Sequence, residues 1–250
     1  MSYFLGRDPI FSLSSALFTS HIITDNKHYA LIEEVLKKND LLYPLDVLLV
    51  GATGVGKSST LNAIFGDKVA KVGEGVAPET KTINTYEVTK YFRIHDSAGL
   101  GDGKTADDLH SKSIIDKLSK RVSTKGLENN GFIDLVLVIL DGSLRDLGTT
   151  FNLLQNVIVP NISADRIIIA INQADIAMKG RYWDFENKKP KHKLLEFLKE
   201  KAITTKERLQ PFAKGDISLP VFYSAYYDWN VDELVNNIIA HIPKSRRILG

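Results

Sequence analysis

Hydrophobic and polar residues alternate along this chain in a way that predicts a repeating order of strands and helices. From Asp46 onward, short apolar and β-branched runs are separated by amphipathic stretches of ten or more residues, which is typical of βαβ units around a mostly parallel sheet. The predicted strands are Val47–Val50, Asn84–Thr89, Tyr91–His95, Leu135–Leu140, Ile167–Ile171 and Val221–Ser224. The predicted helices are Lys57–Phe65, Ala106–Arg121, Leu147–Val157, a long helix that begins near Lys191, and Val231–Ala240.

Two of these strands are apolar at every position and mark the centre of the sheet. Leu135–Leu140 and Ile167–Ile171 contain no polar residue, as expected for strands that helices cover on both faces. The junction at Thr89-Lys90 is too short for a helical crossover. It therefore predicts that the second and third strands form an antiparallel hairpin.

The first 45 residues show no sharp period until a helical pattern begins at Tyr29. Leu31, Ile32, Val35 and Leu36 recur at the spacing of one helix face. Two hypotheses stay open for this segment. The favoured one is a helix that packs on the main domain, and the other is a contact surface for a partner or a second subunit.

Composition excludes several classes of function. The chain has 250 residues, no cysteine and a formal net charge of +2, which excludes disulfides, thiolate zinc sites and cysteine nucleophiles. The absence of a basic excess argues against direct DNA binding. No apolar run approaches the length of about 20 residues that spans a bilayer, and the N-terminus lacks a signal-peptide pattern. These features predict a cytoplasmic protein without a membrane span.

One segment is locally basic. Between Lys179 and Arg208 the sequence has ten basic and five acidic residues. A solvated helix face with its leading loop is the favoured interpretation, and an acidic partner or an anionic membrane surface is the alternative.

A phosphate-binding motif follows the first predicted strand. The sequence there is Gly51-Ala52-Thr53-Gly54-Val55-Gly56-Lys57-Ser58, the pattern G-x4-G-K-S at a strand–helix junction. The glycines let the backbone wrap closely, so that N–H groups near the helix N-terminus point at phosphate oxygens. Lys57 is long enough to reach the β- and γ-phosphates, and Ser58 offers a hydroxyl to Mg²⁺. The motif predicts a nucleotide but leaves the base open, since ATPases, kinases and GTPases share it.

Three further motifs indicate guanine. Asp96-Ser97-Ala98-Gly99 follows the third strand, where the acid can hold Mg²⁺ through water and the Gly99 N–H can reach the γ-phosphate. After the fifth strand come Asn172 and Asp175. A carboxylate accepts hydrogen bonds from N1–H and the exocyclic amine of guanine, whereas adenine presents the opposite pattern. Asn172 can contact N7 and brace the neighbouring loop. The sixth strand leads into Ser224-Ala225, whose Ala225 N–H can reach the guanine O6.

In order and spacing, these four motifs resemble the GTPase domain of the translation-factor-related class over residues 46–243. The first two are similar to the Era-like branch, and within it to bacterial YfjP-type or 50S-ribosome-binding GTPases. The resemblance implies an α/β fold, the three-layer P-loop NTPase, with a Ras-like six-stranded, mostly parallel sheet and one antiparallel strand. It implies GTP or GDP with Mg²⁺ as cofactors. The predicted organisation is a helical N-terminal extension (1–45), the GTPase domain (46–243) and a short basic tail (244–250).

The resemblance also assigns site residues. The family needs a threonine between the first helix and the second strand, whose hydroxyl binds Mg²⁺; Thr80 is our choice and Thr82 the alternative. The predicted catalytic residues are Lys57, Thr80 and Gly99, and the predicted metal ligands are Ser58, Thr80 and Asp96. The predicted nucleotide-binding residues are Gly51, Thr53, Gly54, Val55, Gly56, Lys57, Ser58, Ser59, Asp96, Gly99, Asn172, Gln173, Asp175, Ser224 and Ala225.

Four positions depart from the family pattern or lack a counterpart in it. Gln173 stands where lysine is commonest, which predicts weaker affinity with specificity retained through Asp175. Leu100 stands where Ras-like proteins place the glutamine that orients the attacking water, which predicts slow intrinsic turnover. Gly54 replaces the asparagine of potassium-stimulated relatives and has no side-chain ligand, which argues against activation by potassium. The sequence identifies no arginine finger within the chain, and Arg145 is only a candidate.

The predicted function is GTP hydrolysis to GDP and phosphate with slow intrinsic turnover, in a nucleotide-dependent switch. One alternative is a GTP-dependent scaffold that dimerises through the nucleotide face and hydrolyses little. Another is a ribosome-associated assembly factor, so that a ribosome or a protein effector is the expected partner.

Overall fold

A six-stranded sheet forms the centre of the molecule. The computed structural model describes residues 27–39, 44–66, 83–89, 92–97, 104–123, 127–143 and 148–249. The strands of the sheet are β1 (Leu45–Gly51), β2 (Ile83–Thr89), β3 (Phe92–Ser97), β4 (Leu135–Asp141), β5 (Ile167–Asn172) and β8 (Val221–Phe222). Their order is β2-β3-β1-β4-β5-β8, with β2 antiparallel to β3 and every other neighbour parallel. The predicted fold class and the predicted hairpin are confirmed.

Helices cover both faces of this sheet. The α-helices are α1 (Lys27–Lys38), α2 (Lys57–Phe65), α3 (Lys104–Ser119), α4 (Gly148–Leu153), α5 (His192–Leu209) and α6 (Val231–Ala240). Helix α4 continues through a π-helical segment (Leu154–Ile158) into a last α-turn (Val159–Asn161). Short 3-10 turns are Ala164–Arg166, Ala177–Gly180 and Gln210–Phe212, and a small antiparallel hairpin pairs β6 (Trp183–Asp184) with β7 (Lys189–Pro190).

The alternation of side chains in the central strands builds two separate cores. In β1, Val47 and Leu49 pack on the face covered by α1, α2 and α6, whereas Leu48 and Val50 pack on the face covered by α3, α4 and α5. All seven residues of β1 are buried, as a central strand of a three-layer α/β fold requires.

Several predicted element ends were wrong by a few residues. Helices α2 and α6 match the prediction residue for residue. The helix predicted to end at Val157 instead runs to Asn161. The strand predicted to reach Ser224 ends at Phe222, because Ser224 pairs instead with Trp229 across a turn.

The helix near the N-terminus packs on the domain. In α1, Ile32 and Leu36 are buried in the core beneath α2 and α6. His28 Nε2 lies 2.5 Å from an Asp232 carboxylate oxygen at the start of α6. This packing corresponds to the favoured hypothesis for the segment, while the boundaries of the extension and tail stay a prediction.

A buried charged network occupies the edge of the sheet where the parallel strands begin. Arg93 makes two hydrogen bonds to the Asp46 carboxylate, at 2.7 and 2.9 Å, and His95 Nε2 lies 2.9 Å from the same group. Burial opposes ionisation of Asp46, but these hydrogen bonds outweigh it and lower its pKa. His95 is therefore a packed and hydrogen-bonded residue, as its place within a strand predicts.

The basic residues near the C-terminus are part of this network. Arg246 donates to Asp134 at 3.1 Å, and Arg247 donates to the carbonyls of Asn161, at 3.1 Å, and Leu118. Both arginines are buried. Two residues of the predicted basic tail are thus packed within the described structure, while the bounds of the tail (244–250) stay a prediction.

Candidate functional site

The loop between β1 and α2 has the backbone shape that the phosphate-binding motif requires. Gly56 has a φ of +86°, and a Cβ there would lie 2.4 Å from the Asn172 side chain. A Cβ on Gly51 would lie 2.7 Å from the Ile139 carbonyl oxygen of β4. Only glycine fits both positions, because one is left-handed and both are in close approach to neighbouring atoms.

Lys57 points back into this loop. Its Nζ donates to the carbonyls of Gly51, at 3.0 Å, and Ala52, at 3.2 Å. Burial lowers the pKa of Lys57, and the nearby Asp96 carboxylate opposes that shift. The ammonium group is thus held by two carbonyl oxygens at the start of the loop whose N–H groups the motif assigns to phosphate.

Asp96 lies beside the loop, opposite Leu49 in the register of β3 and β1. Among the described residues, its buried Oδ1 has no hydrogen-bond partner. Burial raises the pKa of Asp96 to about 6, and Lys57 opposes the rise. An unpartnered carboxylate oxygen fits a divalent cation, since oxygen is the ligand that Mg²⁺ prefers.

The remaining predicted metal ligand in the described part of the chain is Ser58. It lies in the exposed first turn of α2. No cluster of three or more histidine or acidic residues with metal-binding geometry occurs within the described ranges. A cation at this position would therefore depend on hydroxyl and phosphate oxygens as well as on Asp96.

Asn172 connects the phosphate loop to the predicted base-binding loops. Its Nδ2 donates to the Val55 carbonyl at 2.9 Å, and its Oδ1 accepts from the Ala225 N–H at 3.0 Å. Its own carbonyl accepts from the N–H of Gly142 at 2.8 Å. Because Asn172 is buried, these bonds hold the ends of β1, β4, β5 and β8 in one arrangement.

Asp175 and Ser224, both predicted to bind nucleotide, contact each other in the structure. Ser224 Oγ donates to Asp175 Oδ1 at 2.6 Å, and both residues are buried. The hydroxyl orients a carboxylate that is suited to accept the two N–H donors of guanine.

Two predicted base contacts are engaged within the protein. The Ala225 N–H donates to the Asn172 side chain. Contact of this N–H with the guanine O6 stays a prediction, and it requires the hydrogen bond to Asn172 to be shared with the base or replaced by it. Gln173 has a φ of +61° and its Nε2 donates to the Gly54 carbonyl at 3.0 Å. Its amide therefore braces the phosphate loop.

An aromatic cluster that sequence patterns did not reveal supports these loops. The Trp183 ring packs against Tyr227 and Trp229, with centroids 5.4 and 5.7 Å apart, and Trp229 stacks on Phe222. The residues with positive φ other than glycine, within the part of the chain that the structure describes, all lie between 173 and 230. Trp183 and Trp229 are the two tryptophans of the chain, and their rarity is the sequence feature that could have indicated this cluster.

Several predicted residues cannot be placed. Thr80, Thr82, Gly99, Leu100 and Arg145 lie outside the described residues. Thr53 is exposed in the phosphate loop, and Ser59 is exposed in the first turn of α2. Val55 is a buried residue of the loop. The structure thus brings together the phosphate loop, Asp96 and the base motif.

Known proteins resemble this chain in sequence. The chain is 34% identical over 93 residues to the Translocase of chloroplast 125 of Physcomitrium patens, a match that covers 36% of this chain and 8% of that protein. It is 29% identical over 110 residues to a probable GTP-binding protein EngB of Thermotoga petrophila, covering 44% of this chain and 53% of the relative. The chain thus spans about half the length of one relative and under a tenth of the other.

The fold resembles that of Toc33 from Arabidopsis thaliana, solved with GDP and Mg²⁺. The TM-score is 0.57 at 16% identity, over 88% of this chain and 94% of Toc33. A family model described as 50S ribosome-binding GTPase matches residues 46–174, a range that includes the phosphate loop, Asp96 and Asn172. Because this match covers just over half of the chain, the protein belongs to the 50S ribosome-binding GTPase family.

Proposed function

We propose that this protein binds guanine nucleotides with Mg²⁺, hydrolyses GTP to GDP and phosphate, and changes conformation as it does so. The observation that carries the proposal is the double hydrogen bond of Asn172, which joins the phosphate loop at Val55 to the base loop at Ala225. Lys57 and Asp96 on one side and Asp175 on the other then lie where one nucleotide can contact all three.

Each residue has a separate role in the proposed reaction. The ammonium of Lys57 and the N–H groups of the loop neutralise charge that develops on the phosphate oxygens. The Asp96 carboxylate would hold the Mg²⁺ ion, and the chemistry that this cation would supply is neutralisation of the negative charge on the phosphate. Asp175, oriented by Ser224, selects the base.

Intrinsic turnover is proposed to be slow. Leucine at position 100 has no polar group with which to orient the attacking water. The group that orients the water is then another side chain or a backbone group of this chain, or it is supplied by a partner or by a second subunit. The dimerising scaffold and the ribosome-associated factor, in a cytoplasmic setting, remain the alternative roles.

A change in the preferred nucleotide base, caused by one substitution, tests the guanine proposal. In Asp175→Asn the carboxylate that accepts two N–H groups is lost, so preference should move from GDP to xanthosine diphosphate. Fluorescent-nucleotide competition measures both affinities. Asp165→Asn, a change to an exposed aspartate in the turn that precedes β5 and outside the site, should leave both affinities unchanged. Displacement of labelled GDP by ATP at equal concentration would contradict the proposal.

Turnover measured against protein concentration distinguishes the roles. A specific rate that rises with concentration supports a catalytic group from a second subunit, and sedimentation with GDP and with a non-hydrolysable GTP analogue should then show a nucleotide-dependent dimer. A flat and slow rate supports a monomeric switch that needs a separate activator. Co-sedimentation with ribosomal subunits tests the ribosome-associated role.

A further inference from the structure

A strongly basic surface lies beside the predicted base-binding loops. It consists of residues 179–193, which include β6, β7 and the turn between them, and we call it the basic hairpin. Its basic residues are Lys179, Arg181, Lys188, Lys189, Lys191 and Lys193, and its acidic residues are Asp184 and Glu186. The excess of four positive charges in this segment is larger than the net charge of +2 on the whole chain.

These cations have no salt-bridge partner among the described residues, although hydrogen bonds from Asn187 and, to a smaller extent, Lys191 lower the pKa of Asp184. All six are exposed, and within the described ranges none forms a salt bridge with a carboxylate. Asp184 is occupied by its own turn, since its carboxylate accepts from the backbone N–H groups of Glu186, at 3.2 Å, and Asn187, at 3.0 Å. Lys193 lies over the Tyr182 ring, 5.0 Å from its centroid.

The hairpin also exposes aromatic surface. Phe185, the first residue of the turn, is 63% exposed, and Tyr182 is 38% exposed. The hairpin is anchored on both sides of its turn, because Trp183 is buried in the aromatic cluster and Leu194, in the first turn of α5, is buried in the same core. Between these anchors no residue is buried, so the segment projects from the domain.

We propose that the basic hairpin docks on the surface of a lipid bilayer that contains anionic lipids. Clusters of four to eight lysines and arginines are attracted to such surfaces, with about a fivefold gain in binding for each cation near the membrane. An exposed phenylalanine between them enters the interface, where aromatic rings are favoured. A projecting hairpin fits a flat surface, whereas a single-stranded nucleic acid binds in a charged groove lined with stacking rings.

Vesicle flotation tests this proposal with the full chain. The protein should float with phosphatidylcholine vesicles that contain 30 mol % phosphatidylserine and not with pure phosphatidylcholine vesicles, and 0.5 M salt should release it. The triple variant Lys188→Glu, Lys189→Glu, Lys191→Glu should weaken binding by at least about a hundredfold, from the fivefold contribution of each lysine. Phe185→Ser should weaken it about tenfold without changing the salt dependence.

A charge-matched variant provides the control. Lys199→Glu, Lys214→Glu, Lys244→Glu makes the same change in net charge at exposed lysines outside the hairpin, and its binding should change less than about fivefold. Circular dichroism melting verifies folding, and the glutamine triple at the hairpin replaces the glutamate triple if that variant unfolds. The assignment is overturned if wild type does not float with anionic vesicles, or if the control loses as much binding as the hairpin variant. It is also overturned if the hairpin binds single-stranded RNA but not vesicles.

Discussion

Asp96 is predicted to destabilise the nucleotide-free fold, so that Asp96→Asn should be more stable than wild type. The Asp96 side chain is half-buried, and its Oδ1 is buried and has no hydrogen-bond partner among the described residues. Its pKa is raised to about 6 from 3.8. Because the folded-state pKa is the higher one, folding favours the protonated acid. That contribution to stability is present below pH 3.8 and is lost as the pH rises through about 6.

The size of the effect follows from the same values. A carboxyl group with a pKa of about 6 in the folded state and 3.8 in the unfolded state lowers the free energy of unfolding by about 3 kcal/mol at pH 7, relative to low pH. Asparagine does not ionise, although it forfeits the attraction to Lys57. We therefore expect Asp96→Asn to exceed wild type by about 1–3 kcal/mol at pH 7.5 and to converge with it near pH 4.

Urea unfolding in EDTA, without nucleotide, measures this difference at several pH values. Asp134, whose pKa burial also raises to about 6, titrates in both proteins and cancels in the comparison. The same variant should lose the strengthening of GDP binding by Mg²⁺, which isothermal titration with and without the cation reports. A variant that is no more stable than wild type at pH 7.5, or a difference that does not change with pH, would refute the reasoning.

Two further predictions concern the contacts that hold the loops and the C-terminal segment. Asn172→Ala removes the two hydrogen bonds that this buried side chain makes to Val55 and Ala225. The variant should lose about 2–4 kcal/mol of unfolding free energy and bind GDP at least tenfold more weakly. Unchanged GDP affinity in titration would contradict the bridging role. Arg246→Ala removes a cation 3.1 Å from Asp134 and should cost about 3–5 kcal/mol at pH 7.5. The cost should be smaller at pH 5, where Asp134 is protonated, and equal losses at both pH values in urea unfolding would rule out the charge as the cause.

Much of the fold could be predicted because its signals are local. The apolar runs of β4 and β5 identify central strands, and helix α2 begins directly after the glycine-rich loop, where the prediction placed it. The ends of elements were less predictable. The helix predicted to end at Val157 continues because Val159–Asn161 adds a last turn, and no nearby residue type marks that extension.

In the candidate site, too, some features have local sequence signals and others do not. Glycine spacing, Lys57 and the pair Asn172 and Asp175 stand out in the sequence because the chemistry of a bound phosphate and base restricts the residue type. The aromatic residues that support the site do not stand out in the sequence. Trp183 and Trp229 are far apart along the chain, and only folding brings their rings within 5.7 Å.

By itself, the sequence determined the order of strands and helices, the phosphate loop and the residues suited to guanine, since each depends on neighbours along the chain. Tertiary structure alone decided that Arg246 is buried against Asp134, which precedes it by 112 residues. It also decided that Asn172 joins the loop that contains Val55 to the loop that contains Ala225. The fold also decided that, within the described ranges, the cations of the basic hairpin form no salt bridge with a carboxylate. These outcomes depend on which charges and hydrogen-bonding groups the fold brings within a few ångströms, and no local pattern encodes that distance.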